Sequence, residues 1–313
     1  MTATTTAPVA APSVRTEKKP PSGRLRAWAT RAPLLPALIF MIAVTQLPFV
    51  ATLVISFFDW NSLYPDARSF TGFGNYSEVL TDAALRKSVW TTILLTATVV
   101  LVSLVLGLGL ALLLDRRFRG RGLVRTLLIA PFLVVPVAAA LLWKHVLYNP
   151  EYGLLNGLLH YVGGPQPDWI STTPLLAVEM SLVWQWTPFM MLILLAGLQS
   201  RDHQQIEAAK VDGASDWQVF RYLTLPHLRR YLELGALLGS IYIVQNFDAV
   251  FTITSGGLGT ANLPYTVYQS FYQAHENGLA SAAGVLVVIG SIIIATFALR
   301  VVSSLFREEV GRA

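Results

Sequence analysis

Apolar residues in this chain are gathered into blocks about 20–25 residues long, and most charged residues lie in the stretches between them. A helix needs roughly 20 residues to cross a hydrocarbon core about 30 Å thick. The pattern therefore predicts an all-α membrane protein. Its six transmembrane helices fall at approximately Leu34–Phe58, Val89–Leu114, Thr126–Leu147, Pro174–Leu198, Leu232–Ile253 and Leu279–Val302. The first block starts late and is too long for a cleaved signal segment. Residues 1–30, rich in Ala, Thr and Pro and then basic, read as a disordered cytoplasmic tail ahead of a membrane domain at 31–313.

Charge placement orients the helices. Lys and Arg number six through Arg31, five in loop 115–125, five in segment 199–231 and three from Arg300 onward. The opposite loops 59–88, 148–173 and 254–278 hold only Arg68, Arg86 and Lys87. By the positive-inside rule both termini and segment 199–231 are expected to face the cytoplasm. The remaining cation, Lys144, is expected to snorkel from the outer end of the third span beside Trp143 and His145. Outer loops 59–88 and 148–173 carry Trp60, Tyr64, Phe70, Phe73, Tyr76, Tyr152, Tyr161 and Trp169, which suits short helices lying on the membrane surface.

Composition agrees. Hydrophobic residues make up 54% and charged residues 13%, about half the charged share of soluble domains. The absence of cysteine excludes disulfides, thiolate metal sites and a Cys nucleophile. No G-x-x-x-x-G-K-[ST] loop, H-E-x-x-H or G-x-S-x-G occurs, and the five histidines are scattered. Neither ATP hydrolysis through a phosphate loop nor metal or acyl-transfer chemistry is indicated, and nothing points to nucleic acid.

The spans are not plain anchors. Pro131 and Pro136 should kink the third and Pro188 the fourth. Gly235 with Gly239 in the fifth, and Gly107 with Gly109 in the second, should let helices approach closely. Polar side chains inside a span are costly and are functional candidates. The fourth carries Glu179, Gln185 and the pair Trp184 and Trp186, followed by Phe189. In the fifth, Tyr242, Gln245, Asn246 and Ala249 are spaced to share one helical face, with Asp248 flanking Gln245. Aromatic faces beside amides suit a neutral, polyhydroxylated solute. The same groups would also serve to hydrogen-bond one span to another, and Glu179 and Asp248 would serve either use. Thr254-Ser255-Gly256-Gly257-Leu258-Gly259 reads as a gate, a docking surface or a plain turn.

The most informative polar stretch is 205–226. Ile206, Ala209 and Val211 mixed with Glu207, Lys210 and Asp212 predict a short helix that Gly213 ends in a left-handed conformation. Ser215 or Asp216 can cap a second helix starting near Trp217, and Pro226 opens the return to the bilayer. A helix–Gly–helix bracket at a membrane surface is a shape that another protein can grip.

This stretch resembles the EAA loop of type I ATP-binding-cassette importer permeases. Glu207-Ala208-Ala209, then Asp212-Gly213-Ala214, then Leu225-Pro226 match its pattern, with Leu223 where isoleucine is more usual. Gly120-Arg121-Gly122 leading to Ala130-Pro131-Phe132, then Trp184-Gln185-Trp186-Thr187-Pro188-Phe189, and then Asn246-Phe247-Asp248 before Thr254-Ser255-Gly256-Gly257 are similar to the carbohydrate branch of that family, close to mannitol and sorbitol permeases. The resemblance implies a type I permease core at about 88–303 in a bacterial cell membrane. It implies as partners a second, homologous permease subunit, a cytoplasmic ATPase dimer and an extracytoplasmic solute-binding protein. The chain itself would bind no cofactor, ATP being used by the partner. Glu207, Ala208, Ala209, Asp212, Gly213, Leu225 and Pro226 would then couple to the ATPase. Gln185, Trp186, Phe189, Tyr242 and Gln245, with Asn246 and Asp248 beside them, would line the path of a sugar or polyol. The rival class is an ion-coupled secondary transporter, which usually shows repeated halves, and no convincing repeat relates 34–147 to 174–302.

Overall fold

The computed structural model describes residues 32–116 and 118–310, so the expected tail at 1–30 lies outside the described residues. Most of what is described is helix. The chain divides into two compact units, Met1–Ala51 and Thr52–Ala313. Helix α1 (Leu35–Ile55) has a mean hydropathy of 2.3, and none of its most apolar window is buried.

The second unit is built on α2 (Ala83–Asp115) and α5 (Pro174–Gln199), 33 and 26 residues long, lying against each other. Between them in the chain come α3 (Arg121–Leu133) and α4 (Pro136–Leu142). After α5 follow α6 (His203–Val211), α7 (Asp216–Val219), α8 (Leu225–Val244), α9 (Asp248–Ile253) and α10 (Asn277–Val310). Leu95, Val99, Leu104, Leu182, Met190, Leu194, Leu198, Leu228 and Ile243 form the main core, from α2, α5 and α8.

Lipid offers no hydrophobic drive between helices, so close van der Waals packing has to hold them. A Cβ at Gly107 would stand 2.8 Å from Met190 Cβ and 2.9 Å from the Met191 backbone nitrogen. Helices α2 and α5 therefore touch through bare backbone on the α2 side. Gly235 and Gly239 on α8 both face the flexible side chain of Met190. Gly109 differs from the expectation: nothing lies within 4 Å of its Cβ position, because it is turned away from α5.

Two of the six expected spans are not single helices. Among the described residues, four helices are long and apolar enough to cross a membrane, at Leu35–Ile55, Ala83–Asp115, Pro174–Gln199 and Asn277–Phe297. A fifth crossing requires Arg121–Leu133 and Pro136–Leu147 to be taken together, and they meet at 99°. The bend is sharper than a proline kink. Pro136 forces extended backbone on Val135 (ψ 133°) and opens a new helix after it. By contrast α5 runs unbroken through Pro188.

The expected fifth span, Leu232–Ile253, breaks after Val244 and resumes at Asp248. Amide side chains compete with helical backbone bonding, and fully buried Asn262 supplies the replacement by donating from Nδ2 to the Asn246 carbonyl (2.6 Å). Non-helical backbone at membrane depth is tolerated when protein satisfies it in this way. The break also undoes the proposed polar stripe, since Asn246 and Ala249 no longer continue the helix that carries Tyr242.

Lys144 does not snorkel. It lies in a π-helical turn, and its Nζ donates to the Thr252 carbonyl (2.8 Å), capping the C-terminal end of α9. Loops 59–88 and 148–173 contain short helices at Gly74–Thr81, Leu154–Tyr161 and Trp169–Thr172. A two-residue antiparallel pairing of β1 (Phe58–Asp59) with β2 (Ser69–Phe70) was not expected. Asn75 holds its base by donating to the Ser56 and Phe58 carbonyls at 2.8 and 2.9 Å.

Gly107→Val should force α2 from α5 and destabilise the protein by about 1–3 kcal/mol, whereas Gly109→Val should leave packing within the chain unchanged. Thermal unfolding of the purified protein in detergent checks the pair, and equal midpoints would contradict the asymmetry.

Candidate functional site

Two places gather part of the set of residues singled out by the sequence. The first is the bracket between α5 and α8. Asp202 caps α6 by accepting from the Gln204 N–H (2.9 Å). At its other end Gly213 has φ +88°. There the Gly213 N–H reaches the Lys210 carbonyl (3.1 Å) and the Ala214 N–H reaches the Ala209 carbonyl (2.9 Å), the paired bonds of a Schellman stop. Ser215 and Gln218 then form a reciprocal capping box that starts α7. Asp216 carries no cap of its own. It pairs instead with Lys210 across the turn (2.8 Å), and that ammonium holds its exposed carboxyl below the usual range.

Helix α7 continues through a π-helical turn, Phe220–Thr224, into α8, with Leu225 and Pro226 at the junction. The bracket is thus geometrically defined yet almost unpacked. No residue of α6 is buried. Glu207 and Ala208 are exposed and Ala209 half-buried, and Val211 (87% exposed), Trp217 and Tyr222 present apolar surface outward. A short helix of this length is marginal alone, so its sharply defined ends and bare apolar residues suit a surface completed by another chain.

The second place lies where α3, α5 and α8 meet. Trp186, Phe189 and Tyr242 come together, joined by Phe132, which sequence reasoning did not assign to the site. Ring centroids stand 5.7 Å apart for Phe132–Trp186, 5.2 Å for Phe132–Phe189, 5.8 Å for Trp186–Phe189 and 5.2 Å for Trp186–Tyr242. Phe132 is placed by the bend after α3, and the sequence signal for it was the Pro131–Pro136 pair rather than any periodicity. Tyr242 is 56% exposed, so the cluster has an open side.

The amides and acids are distributed differently. Gln185 is buried and donates from Nε2 to the Val134 carbonyl (3.1 Å), which the bend between α3 and α4 leaves without a helical partner. Gln245 is turned to a hollow of about 470 Å³ between α8 and α10, lined also by Ile241, Val288, Ser291 and Thr296. Asn246 sits in the break with its side-chain Oδ1 buried and unpartnered. Asp248, half-buried, opens α9. Glu179 accepts from Thr98 Oγ1 on α2 (2.6 Å) and lines a separate, largely apolar cavity of about 590 Å³ with Trp143, Trp184 and Thr187. The aromatic residues therefore form one surface, and Gln245, Asn246, Asp248 and Glu179 do not join it.

Comparison with known proteins decides the class. Residues 103–308 match the family described as binding-protein-dependent transport system inner membrane component. This chain belongs to that family. It is similar to the probable ABC transporter permease protein y4oQ of Sinorhizobium fredii, at 36% identity over 82% of this chain and 84% of that one. It is also similar to the trehalose/maltose transport system permease MalF of Thermococcus litoralis, at 32% identity over 82% and 87% of the two chains. The trehalose transport system permease SugA of Mycobacterium tuberculosis is 33% identical over 84% of each. In fold the chain matches a crystallised bacterial alginate ABC transporter with a TM-score of 0.76 at 20% identity, over 90% of this chain and 96% of that one. The chain is accordingly a permease subunit of an ABC importer with the type I fold, a multi-pass inner-membrane protein with relatives in sugar transport. It is not an enzyme, since hydrolysis of ATP is carried out by the partner ATPase. The family works with that ATPase and with a solute-binding protein.

Gln185→Leu should leave the Val134 carbonyl unsatisfied and cost about 1–3 kcal/mol of stability. A thermal midpoint unchanged from wild type would show that this amide does not hold the bend.

Proposed function

We propose that this permease subunit passes a neutral sugar or polyol through the membrane by alternating access, driven by ATP bound and hydrolysed on a partner. The observation that supports the reading is the bracket at α6 and α7. Its ends are fixed by a Schellman stop and a capping box, yet no residue of α6 is buried.

In this reading segment 199–231 and both termini lie in the cytoplasm, where nineteen of the 23 Lys and Arg residues are counted. The third and fifth of the six crossings are the bent α3–α4 pair and the broken α8–α9 pair. Helix α6 docks into the ATPase. Ala208 and Ala209 permit close approach, and Glu207 accepts a charge-assisted hydrogen bond from a basic residue there. Asp212 and Gly213 end the helix, and Leu225-Pro226 return the chain to the membrane. Closure of the ATPase dimer carries α6 with it, rotates the spans and opens the path outward. Hydrolysis then resets it. A second, homologous permease completes the path, and no cofactor is bound by this chain.

The substrate class rests on two supports. Trp186, Phe189, Tyr242 and Phe132 offer flat apolar faces for the C–H face of a sugar ring, and two relatives are permeases of a trehalose/maltose and a trehalose transport system. Gln245, Asn246 and Asp248 stand nearby in sequence but on other surfaces, so they would reach solute only as the spans rotate. Gln185 would reach it only by releasing Val134.

Two measurements test this. Reconstituted with its ATPase, second permease and binding protein, the complex should take up a neutral saccharide or polyol from a panel only when ATP is present. Uptake that persists without ATP and collapses with a protonophore would overturn the reading. Proline fixes φ near −65° and cannot adopt the +88° of Gly213. Gly213→Pro and Glu207→Arg should each lower uptake at least about tenfold while membrane insertion stays normal. Wild-type uptake by the double variant would contradict the role of α6.

A further inference from the structure

At the base of the bracket, one guanidinium joins segments that are far apart in the chain. Arg201 lies in the three-residue link between α5, which ends at Gln199, and α6, which begins at His203. Its Nε donates to the Leu198 carbonyl at the end of α5 (2.9 Å). Its Nη1 donates to Thr224 Oγ1 in the turn that leads into α8 (2.9 Å). Its Nη2 donates to Asp115 Oδ2, on the last residue of α2. The Arg201 and Asp115 side chains are only 13% and 24% exposed, and Thr224 is buried. This is not a solvated surface pair, whose contribution would be small. It is a planar fork with three acceptors placed on its three donor directions, a geometry that lysine cannot reproduce.

A second knot lies beside it. Ser200 Oγ meets Tyr231 Oη at 2.9 Å and His227 Nε2 at 3.1 Å, and His227 Nε2 also meets the Gly197 carbonyl at 3.1 Å. A Cβ at Gly197 would stand 2.6 Å from the Tyr231 ring, so α5 and α8 touch there. The Ser200 knot ties entry and exit of the bracket to each other. The Arg201 fork alone among these links also reaches α2, which shares no loop with the bracket.

We propose that Arg201, with Asp115 and Thr224, is the joint through which displacement of α6 moves α2, α5 and α8 as one body. Arg201 is a positioning residue, since all three of its side-chain nitrogens donate to acceptors of the chain itself. A helix docked on a partner but attached to its spans only by the link 200–202 and the turn at Gly213 would swing on those links and dissipate the stroke. The fork makes the entry link rigid and extends the load to α2, which the bracket does not otherwise reach through the chain. This inference rests on the reading of α6 as the coupling helix.

The test uses the whole reconstituted complex in proteoliposomes, with solute transported per ATP hydrolysed as readout. Arg201→Lys keeps the charge and loses the fork, and Asp115→Asn keeps the shape and loses the charge. Each should lower transport per ATP about tenfold while hydrolysis stays within about twofold of wild type. The two changes together should be no worse than either alone, because they remove one interaction. The exchanged pair Asp115→Arg with Arg201→Asp should recover part of the coupling. Thr224→Val, which removes one acceptor with little change of shape, should give a smaller loss of about threefold and remains informative where the charge variants fail to assemble.

An assembled complex in which the variants keep the wild-type ratio would overturn the proposal. So would one in which transport and hydrolysis fall in proportion, or in which the two losses multiply. Failure of the wild-type complex to couple ATP to uptake at all would instead strike the proposed function, so the two failures are distinct.

Discussion

Because lipid is as apolar as the side chains it surrounds, the second unit depends on contacts that lipid cannot imitate, and the chief of these is the approach of α2 to α5 at Gly107. There the Met190 and Met191 backbone stands where any side chain on α2 would have to go. Once that distance is set, Met190 of α5 is caught between α2 and the small-residue face of α8, and the core from Leu95 to Ile243 fills around it. Methionine suits the position because an unbranched, polarisable chain adapts to the gap between three helices.

The same medium explains why the irregular segments are held by specific polar side chains. Each bend or break frees backbone groups that must be paired inside the protein. Gln185 serves the Val134 carbonyl at the bend, Asn262 the Asn246 carbonyl at the break, and Lys144 the end of α9. Polar residues that in isolation suggest a solute path are thus partly committed to backbone. What remains open is aromatic: Trp186, Phe189, Tyr242 and Phe132, with Tyr242 at the exposed edge. The division is chemically coherent, since stacking on rings needs no hydrogen-bonding group to be surrendered when solute enters.

Outside the apolar region the logic reverses. The bracket of α6 and α7 has strong local signals at both ends and almost no packing along its length. Its stability as a shape comes from caps, and its base is tied by Arg201 and Ser200 to the ends of the long helices. A segment that is fixed at its ends and unburied on its faces is suited to transmit force from a partner.

The sequence by itself determined the membrane class, the block lengths, the bracket and the family resemblance, because each is written locally. Apolar runs need no partner to be recognised, Gly213 and Ser215 act within one turn of themselves, and the EAA pattern is a contiguous string. Only the tertiary structure decided that Gly107 is a contact and Gly109 is not. It alone decided that the Tyr242, Gln245, Asn246 and Ala249 stripe is cut after Val244, that Phe132 joins the aromatic group, and that Asp115 meets Arg201. Those outcomes depend on which face of a helix meets a neighbour and on which distant side chain is present to satisfy a broken backbone. Asn262 lies 16 residues beyond the carbonyl it binds, and Asp115 lies 86 residues before its arginine. Periodicity within one segment carries no record of a partner at that distance.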